Sequence, residues 1–198
     1  MSSNILFSIS YGLYIITAEQ YKDNGCVVNT VMQIANNPTR ISVAISKANL
    51  TCSMVEQTRK FNVNILSTTA PFELFKRFGF QSGRSADKFD SFKFERSKNG
   101  LAYFREHSLG YISCDVTDVV DLGSHKLFIA EMTDSQVLND GEPVTYSYYQ
   151  ANIKPRVDAP KKTGYVCKIC GYVHESDTLS DDFICPICKH PASDFEKL

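Results

Sequence analysis

Short apolar and β-branched runs recur along the first two thirds of the chain and predict a mainly β fold. The runs cover residues 13–17, 27–34, 41–46, 61–66, 111–122 and 127–133, and most of them end at Gly, Asn, Asp or Pro. Many short strands with few helices are typical of a β-barrel or a β-sandwich.

Two segments with a different pattern predict helices. The first starts after the segment Asn49-Leu-Thr51, where Ser53 and Glu56 have the spacing of a capping box. The second starts at Pro71 and stops at Gly79. Its apolar residues are Phe72, Leu74, Phe75 and Phe78.

The composition predicts a folded, soluble protein. Of the 198 residues 43% are hydrophobic and 22% are charged, which is enough apolar material for a packed core. The net charge of −1 argues against a general nucleic-acid binder. No apolar stretch approaches the ~18 residues of a membrane span, and the first lysine, Lys22, follows the apolar run at residues 13–16, unlike in a secretory signal. We therefore expect a cytoplasmic protein.

Charge divides the chain into two unequal parts. Residues 1–163 carry 18 Lys+Arg and 16 Asp+Glu, whereas residues 164–198 carry 3 and 6. Two prolines and four basic residues interrupt the apolar pattern between them, as in a tether. We predict a large domain over residues 1–152, a linker over 153–163 and a small domain over 164–198.

The cysteines point to a metal site in the small domain. Four of the seven lie within it, as Cys167-Lys-Ile-Cys170 and Cys185-Pro-Ile-Cys188. Two facing Cys-x-x-Cys turns form a closed tetrahedral site of four thiolates, which suits zinc and iron alike. A disulfide framework would need an oxidising compartment that nothing else in the sequence indicates.

Residues 164–198 also resemble a shortened rubredoxin. The resemblance rests on the pattern Tyr-x-Cys-x-x-Cys-Gly-Tyr and on Cys-Pro-x-Cys preceded by an aromatic residue. It implies one iron, cycling between ferric and ferrous, and a small aromatic core. The implied ligands are Cys167, Cys170, Cys185 and Cys188, and the core residues are Tyr165, Tyr172, Phe183 and Phe195. Lys189 stands where rubredoxins carry Gly, an unfavourable exchange if that position requires a positive φ.

A structural zinc ribbon with the same spacing is the alternative. Such ribbons commonly contact nucleic acid or protein, but a net charge of −3 would repel phosphates. Electron transfer therefore fits the small domain better than nucleic-acid binding. Heterologous expression can load zinc in place of iron.

In the large domain, residues 46–51 form a candidate anion site between a strand and a helix. Free backbone N–H groups, the helix dipole, two hydroxyls and a lysine come together there, although Ser, Asn and Thr before a helix also serve as plain caps. No Gly-x-Gly-x-x-Gly follows a strand, so a Rossmann-type dinucleotide site is not indicated.

Five segments in order resemble the flavin reductase-like FMN-binding split-barrel family over about residues 1–150. They are NGCVVNTVMQI (24–34), ISKANLT (45–51), FNVNIL (61–66), FGFQSGRSADKF (78–89) and GSHKLFIAE (123–131). The resemblance implies a homodimer of six-stranded split barrels with FMN near the subunit interface. Residues 145–149 resemble the family's terminal aromatic stretch at the dimer contact. The expected fold is thus an FMN-binding split β-barrel with a few helices plus a small rubredoxin-like metal-binding domain.

The resemblance also implies site residues. The isoalloxazine ring would contact Asn29, Thr30, Val31 and Met32; the phosphate would be held by Ser46, Lys47, Asn49 and Thr51 and covered by Ser82, Gly83, Arg84 and Lys88. His125 matches the family's Gly-Asp-His segment near nicotinamide and flavin. Ser124 replaces the Asp of that segment, so the group that orients the imidazole ring of His125 is expected to be missing.

Structural explanations compete with several of these roles. Arg84 and Lys88 fit solvated charges on a polar loop equally well, and Met32 fits a core residue. The isolated Cys26, Cys52 and Cys114 have no neighbouring His or cationic cluster in sequence. We predict that they are small buried residues.

The two resemblances together imply an NAD(P)H:FMN/rubredoxin oxidoreductase. NAD(P)H delivers two electrons as a hydride and a four-thiolate iron accepts one, so FMN between them converts pairs into single electrons. An external acceptor, such as a flavodiiron protein reducing oxygen or nitric oxide, would receive them. The alternatives are a flavin reductase with a structural zinc ribbon and a non-enzymatic carrier with two redox centres.

Overall fold

The computed structural model describes residues 3–155 and 164–198, and its larger part is built around one seven-stranded antiparallel sheet. The strand order is β2-β1-β5-β8-β9-β4-β3. These strands are β1 (Tyr14–Glu19), β2 (Asp23–Val28), β3 (Met32–Asn36), β4 (Thr39–Ser46), β5 (Lys60–Leu66), β8 (Ser108–Asp121) and β9 (His125–Val137), and the short β6 (Glu95–Arg96) pairs with β7 (Ala102–Tyr103). The predicted mainly β fold is confirmed.

The prediction of one strand over residues 27–34 is wrong, because the chain leaves the sheet at residues 29–31. The Thr30 hydroxyl donates to the Ala44 carbonyl at 2.8 Å and accepts from the Ala44 N–H at 3.1 Å. This side chain thereby occupies both backbone groups of Ala44 that another strand would pair with. The break produces β3, so the sheet has seven strands rather than the implied six.

The two predicted helices form at the expected positions, but their caps and extents differ from the prediction. Helix α1 (Leu50–Thr58) begins after Asn49, and α2 (Phe72–Phe75) follows Pro71 and continues as the π-helical turn Lys76–Phe80. The predicted capping box is wrong, because Ser53 lies inside α1 and donates to the Leu50 carbonyl. Helix α3 (Tyr146–Tyr148), its π-helical continuation Tyr149–Ile153 and the 3₁₀ turn Ser3–Ser8 were not predicted.

The barrel core includes the three isolated cysteines. Cys26, Cys52 and Cys114 are at most 2% exposed, which confirms their predicted burial. Burial raises the pKa of Cys26 to about 11 and that of Cys114 to about 12, and it also raises the pKa of Cys52. They are protonated and sheltered at neutral pH.

Residues 164–198, which we call the four-cysteine module, contain their own small sheet. It has the order β11 (Val173–His174), β10 (Tyr165–Cys167), β12 (Phe195–Lys197), with a 3₁₀ turn at Ala192–Asp194. The predicted aromatic core is confirmed, since Tyr165, Tyr172 and Phe183 pack with Phe195 beside the cysteines. The expected linker over 153–163 lies outside the described residues beyond residue 155. Within the described residues, no helix has the length and apolar character needed to cross a bilayer.

Candidate flavin and metal sites

The four-cysteine module brings four thiols to one point. The sulfurs of Cys167, Cys170, Cys185 and Cys188 all lie within 4.8 Å of one another, with Cys167 and Cys188 3.6 Å apart and Cys170 and Cys185 3.5 Å apart. A tetrahedral ion with metal–sulfur bonds of about 2.3 Å has ligand atoms roughly 3.8 Å apart. The residues therefore fit a single tetrahedral metal ion.

Matching backbone turns hold the two cysteine pairs. Gly171 donates its N–H to the Cys167 carbonyl at 2.8 Å, and Lys189 donates to the Cys185 carbonyl at 2.9 Å. Both residues are left-handed, with φ of 79° at Gly171 and 62° at Lys189. The positive φ anticipated at Lys189 is therefore present, and a side chain occupies a conformation that favours Gly.

The pKa values of the module thiols shift in different directions. Burial raises the pKa of Cys170 to about 11, and burial likewise raises the pKa of Cys188. Burial also acts on Cys185, but hydrogen bonds from the backbone N–H groups of Cys188 and Ile187, together with those of the Cys188 and Cys170 thiols, lower the pKa of that thiol. Since a metal binds thiolates, a bound cation would have to displace the protons from Cys170 and Cys188.

In the barrel, the turn from β4 to α1 meets the β8–β9 turn. Ser46 pairs with His125 across the β4–β9 ladder, and the Lys47 N–H donates to the Ser124 carbonyl at 3.0 Å. Asn49 caps α1 with extended backbone, but its side chain makes no capping hydrogen bond. The first N–H groups of α1 and the candidate histidine thus lie at the same end of the sheet.

Lys47 already has an anionic partner. Its ammonium lies 2.6 Å from Asp121 at the end of β8, and the Gly123 N–H donates to the same carboxylate at 2.8 Å. The hydrogen bond from Lys47, then that from Gly123, lowers the pKa of Asp121. Sequence reasoning missed Asp121, whose partner is 74 residues away.

Thr51 lies deeper than a surface phosphate contact. It is fully buried, and its hydroxyl accepts from Asn24 Nδ2 at 3.0 Å. Asn24 Oδ1 is buried without a hydrogen-bond partner, and a Cβ added to Gly83 would lie 2.3 Å from this atom. Gly83 therefore allows the 82–84 turn to approach Asn24, which sequence reasoning missed because it lies between Asp23 and Gly25, before the apolar run at residues 27–34.

The residues predicted to cover the phosphate fall into two groups. Ser82 and Arg84 are exposed, and the Ser82 hydroxyl accepts the Arg84 N–H at 3.2 Å. Lys88 is only 2% exposed and donates to the carbonyls of Gly25 at 2.8 Å and Phe78 at 3.1 Å. Burial lowers the pKa of Lys88 to about 8, opposed by Cys26. The alternative of a solvated lysine is wrong, because Lys88 joins β2 to the π-helical turn.

The candidate ring-binding segment follows β2. Asn29 and Thr30 are partly exposed, Val31 packs against the barrel core and Met32 is 63% exposed on the edge strand β3. The alternative of Met32 as a core residue is therefore wrong.

His125 has an orienting partner. Ser124 Oγ lies 2.8 Å from His125 Nδ1, within hydrogen-bond distance. Our expectation that the exchange of Asp for Ser removes such a group is wrong, because the hydroxyl reaches the ring from the neighbouring residue. This contact engages Nδ1 and leaves Nε2 as the ring nitrogen for a ligand.

These residues fit a flavin nucleotide. The turn after β4 offers helix N–H groups, Lys47 and the Asn49 amide to a phosphate, and Arg84 lies on the neighbouring turn. The unsatisfied Asn24 Oδ1 is an acceptor suited to a ligand hydroxyl or N–H.

Residues 6–155 match the model of the flavin reductase like domain. The chain belongs to the flavin reductase-like family. Residues 165–196 of this family member match the rubrerythrin, rubredoxin-like domain. The chain is 34% identical, over 232 aligned positions and 100% of both chains, to a high molecular weight rubredoxin of Moorella thermoacetica. The two-part recognition from sequence is therefore confirmed.

Two further relatives match the flavin reductase-like part. A ferric-chelate reductase (NAD(P)H) of Archaeoglobus fulgidus is 35% identical over 150 residues, which cover 75% of this chain and 89% of that one. The crystal structure of an FMN-binding protein from Thermus thermophilus has a TM-score of 0.58 at 19% identity, over 65% of this chain and 73% of that chain. The relatives identify the chain as an oxidoreductase with a flavin reductase-like split-barrel domain and a rubredoxin-like domain.

Proposed function

We propose that the chain oxidises NAD(P)H with FMN and passes the electrons through an iron held by the four cysteines to an external acceptor. The observation that carries this proposal is the four-thiol site on the same chain as a flavin reductase-like domain. FMN, when bound, takes an electron pair and releases electrons singly, and the iron accepts one at a time. Each NAD(P)H then yields NAD(P)⁺ and a proton and reduces two one-electron acceptors.

The barrel residues would bind and orient the reactants. Lys47, Asn49 and the first turn of α1 would hold the phosphate, with Ser46 beside them and Arg84 closing from the 82–84 turn. Thr51, which is fully buried, would support the site by holding Asn24, whose Oδ1 would accept a hydrogen bond from the nucleotide. The isoalloxazine ring would contact Asn29, Thr30, Val31 and Met32. The turn at residues 82–84, which would cover the phosphate, includes Ser82 and Gly83 and would be supported by Lys88. His125, held through Nδ1 by Ser124, would face the nicotinamide with Nε2.

The metal ligands would be Cys167, Cys170, Cys185 and Cys188. An iron ion held by four thiolates would gain or lose an electron with little change in its coordination geometry, because no ligand has to leave. The net charge of −3 on residues 164–198 suits a partner with a basic face, and a flavodiiron protein is our candidate acceptor. Reduced thiols fit a cytoplasmic location.

We also propose a homodimer. Strand β3 is an edge of the sheet, and its Met32 and Ile34 are 63% and 45% exposed. An exposed apolar edge favours pairing with a second copy. Sedimentation equilibrium should give twice the chain mass, and a monomer would contradict this assembly.

Anaerobic addition of NADH, and separately of NADPH, to protein from its native source tests the function. At least one nucleotide should bleach both the flavin bands and the ferric-thiolate bands. Bleaching of flavin alone would remove the relay, and zinc in the native protein would favour a structural role for the four-cysteine module.

A further inference from the structure

A cleft lies between the barrel and the four-cysteine module. Its volume is about 210 Å³, and Ile169 of the module lines it together with barrel residues. The barrel side is mainly apolar and comes from the residue before β1, from β2, α2 and α3, and from the two π-helical turns and the residue after the second. Its residues include Leu13, Val27, Phe75, Phe80, Tyr149 and Lys154.

A second contact crosses between the two parts. Phe80, the last residue of the π-helical turn after α2, packs against the buried cluster formed by the four cysteines and Phe195. Phe72 supports Phe80 at a ring-centroid distance of 5.9 Å, and Tyr149 packs on Phe75 at 4.6 Å. The module thus meets an aromatic surface built into the barrel core.

We infer that the four-cysteine module docks on its own barrel through Phe80 and through Ile169, which is 43% exposed at the wall of this cleft, and that this contact is the interface for electron transfer within the chain. The docking rests on the contacts, and its redox role rests on the proposed function. Ile169 directly precedes Cys170, the most exposed ligand at 8%. On the barrel side, Phe80 is two residues from Ser82, so their Cα atoms are within about 7 Å. The contact surface therefore joins a metal ligand to the turn proposed to cover the flavin phosphate.

The charge of the two parts suits a reversible contact. Lys154 lies at the cleft, and the module carries an excess of three negative charges. Opposite charge favours encounter more than lasting affinity, and small interfaces are typical of electron-transfer pairs. A connection within one chain raises the local concentration of the module.

Hydrogen exchange of the full, iron- and flavin-loaded protein tests the docking without relying on turnover. Ile169→Asp should speed exchange in residues 75–80 and 146–154 at least threefold. Ile184→Asp is the matched control, because Ile184 adjoins the ligand Cys185 in the other cysteine pair and is 52% exposed, close to the 43% of Ile169, but does not line the cleft. Unchanged exchange in Ile169→Asp would overturn the docking.

If Ile169→Asp does not retain iron, a variant on the barrel side tests the same docking. Phe80→Ala leaves the module sequence intact and should speed exchange in residues 165–171 at least threefold. Equal exchange in Phe80→Ala and the unsubstituted protein would then reject the docking.

Stopped-flow mixing with the active nicotinamide nucleotide separates this inference from the proposed function. Ile169→Asp should leave the rate of flavin bleaching unchanged and slow iron bleaching at least tenfold, whereas Ile184→Asp should change neither rate. Iron bleaching at the normal rate in Ile169→Asp rejects the cleft as the electron-transfer interface. Absence of iron bleaching in the unsubstituted protein rejects the proposed function, and the exchange measurement still decides the docking.

Discussion

At the scale of single residues, Lys47 and Asp121 show how a binding group can be occupied before its ligand arrives. The 2.6 Å ion pair places a carboxylate beside the lysine proposed to bind the phosphate. A phosphate would compete with that carboxylate and be repelled by its charge. Asp121 would therefore weaken the proposed phosphate site.

We expect Asp121→Asn to tighten FMN binding by the apoprotein about two- to fivefold, the scale of an exposed ion pair. Quenching of flavin fluorescence during titration measures the affinity. Asp118→Asn is the matched control, because Asp118 is exposed on the same strand and its substitution removes the same charge, whereas the ion pair of Lys47 is with Asp121. Equal affinity in Asp121→Asn and Asp118→Asn would contradict the competition.

Lys189 carries a backbone cost that its counterpart Gly171 avoids. A left-handed residue with a side chain costs about 1–2 kcal/mol, and Gly recovers this at an entropic cost of roughly 0.5–1 kcal/mol. Lys189→Gly should therefore stabilise the metal-loaded module by about 0.5–1 kcal/mol, measured from the loss of metal-thiolate absorption in denaturant. Lys168→Gly removes the same side chain where φ is not positive, so it should not stabilise the module.

At the scale of elements, Lys88 links β2 to the π-helical turn through two backbone carbonyls. Its pKa is about 8 in the folded chain, below the ordinary lysine value of 10.5, because burial disfavours the charge. The unfolded chain consequently binds more protons between these two pH values. The contribution of Lys88 to the free energy of unfolding therefore rises with pH in this window and is constant below it.

The unfolding free energy of the unsubstituted protein minus that of Lys88→Met should increase by about 2 kcal/mol between pH 8 and pH 10. Urea denaturation followed by circular dichroism measures both proteins at each pH. Lys22→Met, at an exposed lysine before β2, controls for loss of a positive charge. A difference that stays flat for Lys88→Met over this range would mean that the buried lysine titrates normally.

The same contacts show which elements a sequence can predict. The Cys-x-x-Cys pairs, most of the apolar and β-branched runs and the helix after Pro71 are local patterns, and they fold where the patterns place them, the run at residues 27–34 excepted. The break at Thr30 depends on Ala44, 14 residues away, and the burial of Lys88 depends on carbonyls 63 and 10 residues away. Asn49 and Ser53 both have N-cap chemistry, and only the backbone shows that Asn49 caps α1. Contacts between residues far apart in the chain produce no local sequence pattern from which they could be predicted.

At the scale of the whole molecule, the two redox sites can be tested as a series. Zinc holds the same four-thiolate geometry but does not change its oxidation state. Protein loaded with zinc in place of iron should keep its rate of flavin bleaching by NAD(P)H, while its reduction of cytochrome c as an acceptor should fall at least tenfold. Iron- and zinc-loaded protein are compared at equal flavin content in an anaerobic stopped-flow experiment.

The full chain with Cys185→Ser and Cys188→Ser should match the zinc-loaded protein. Loss of flavin bleaching as well would indicate that the module supports the barrel fold. Cytochrome c reduction at the iron-loaded rate in either sample would show that electrons leave directly from the flavin.

The burial of Cys26, Cys52 and Cys114 has a consequence for the chemical durability of the protein. Because these thiols are sheltered and their pKa values are raised, peroxide and alkylating agents meet little thiolate in the barrel. In the metal-free chain oxidation would therefore begin in the four-cysteine module, where the pKa of Cys185 is lowered and Cys170 is 8% exposed. An oxidised chain could fail to bind its metal while the barrel stays folded. Oxidation would then stop electron transfer to the external acceptor before it affected the flavin reaction.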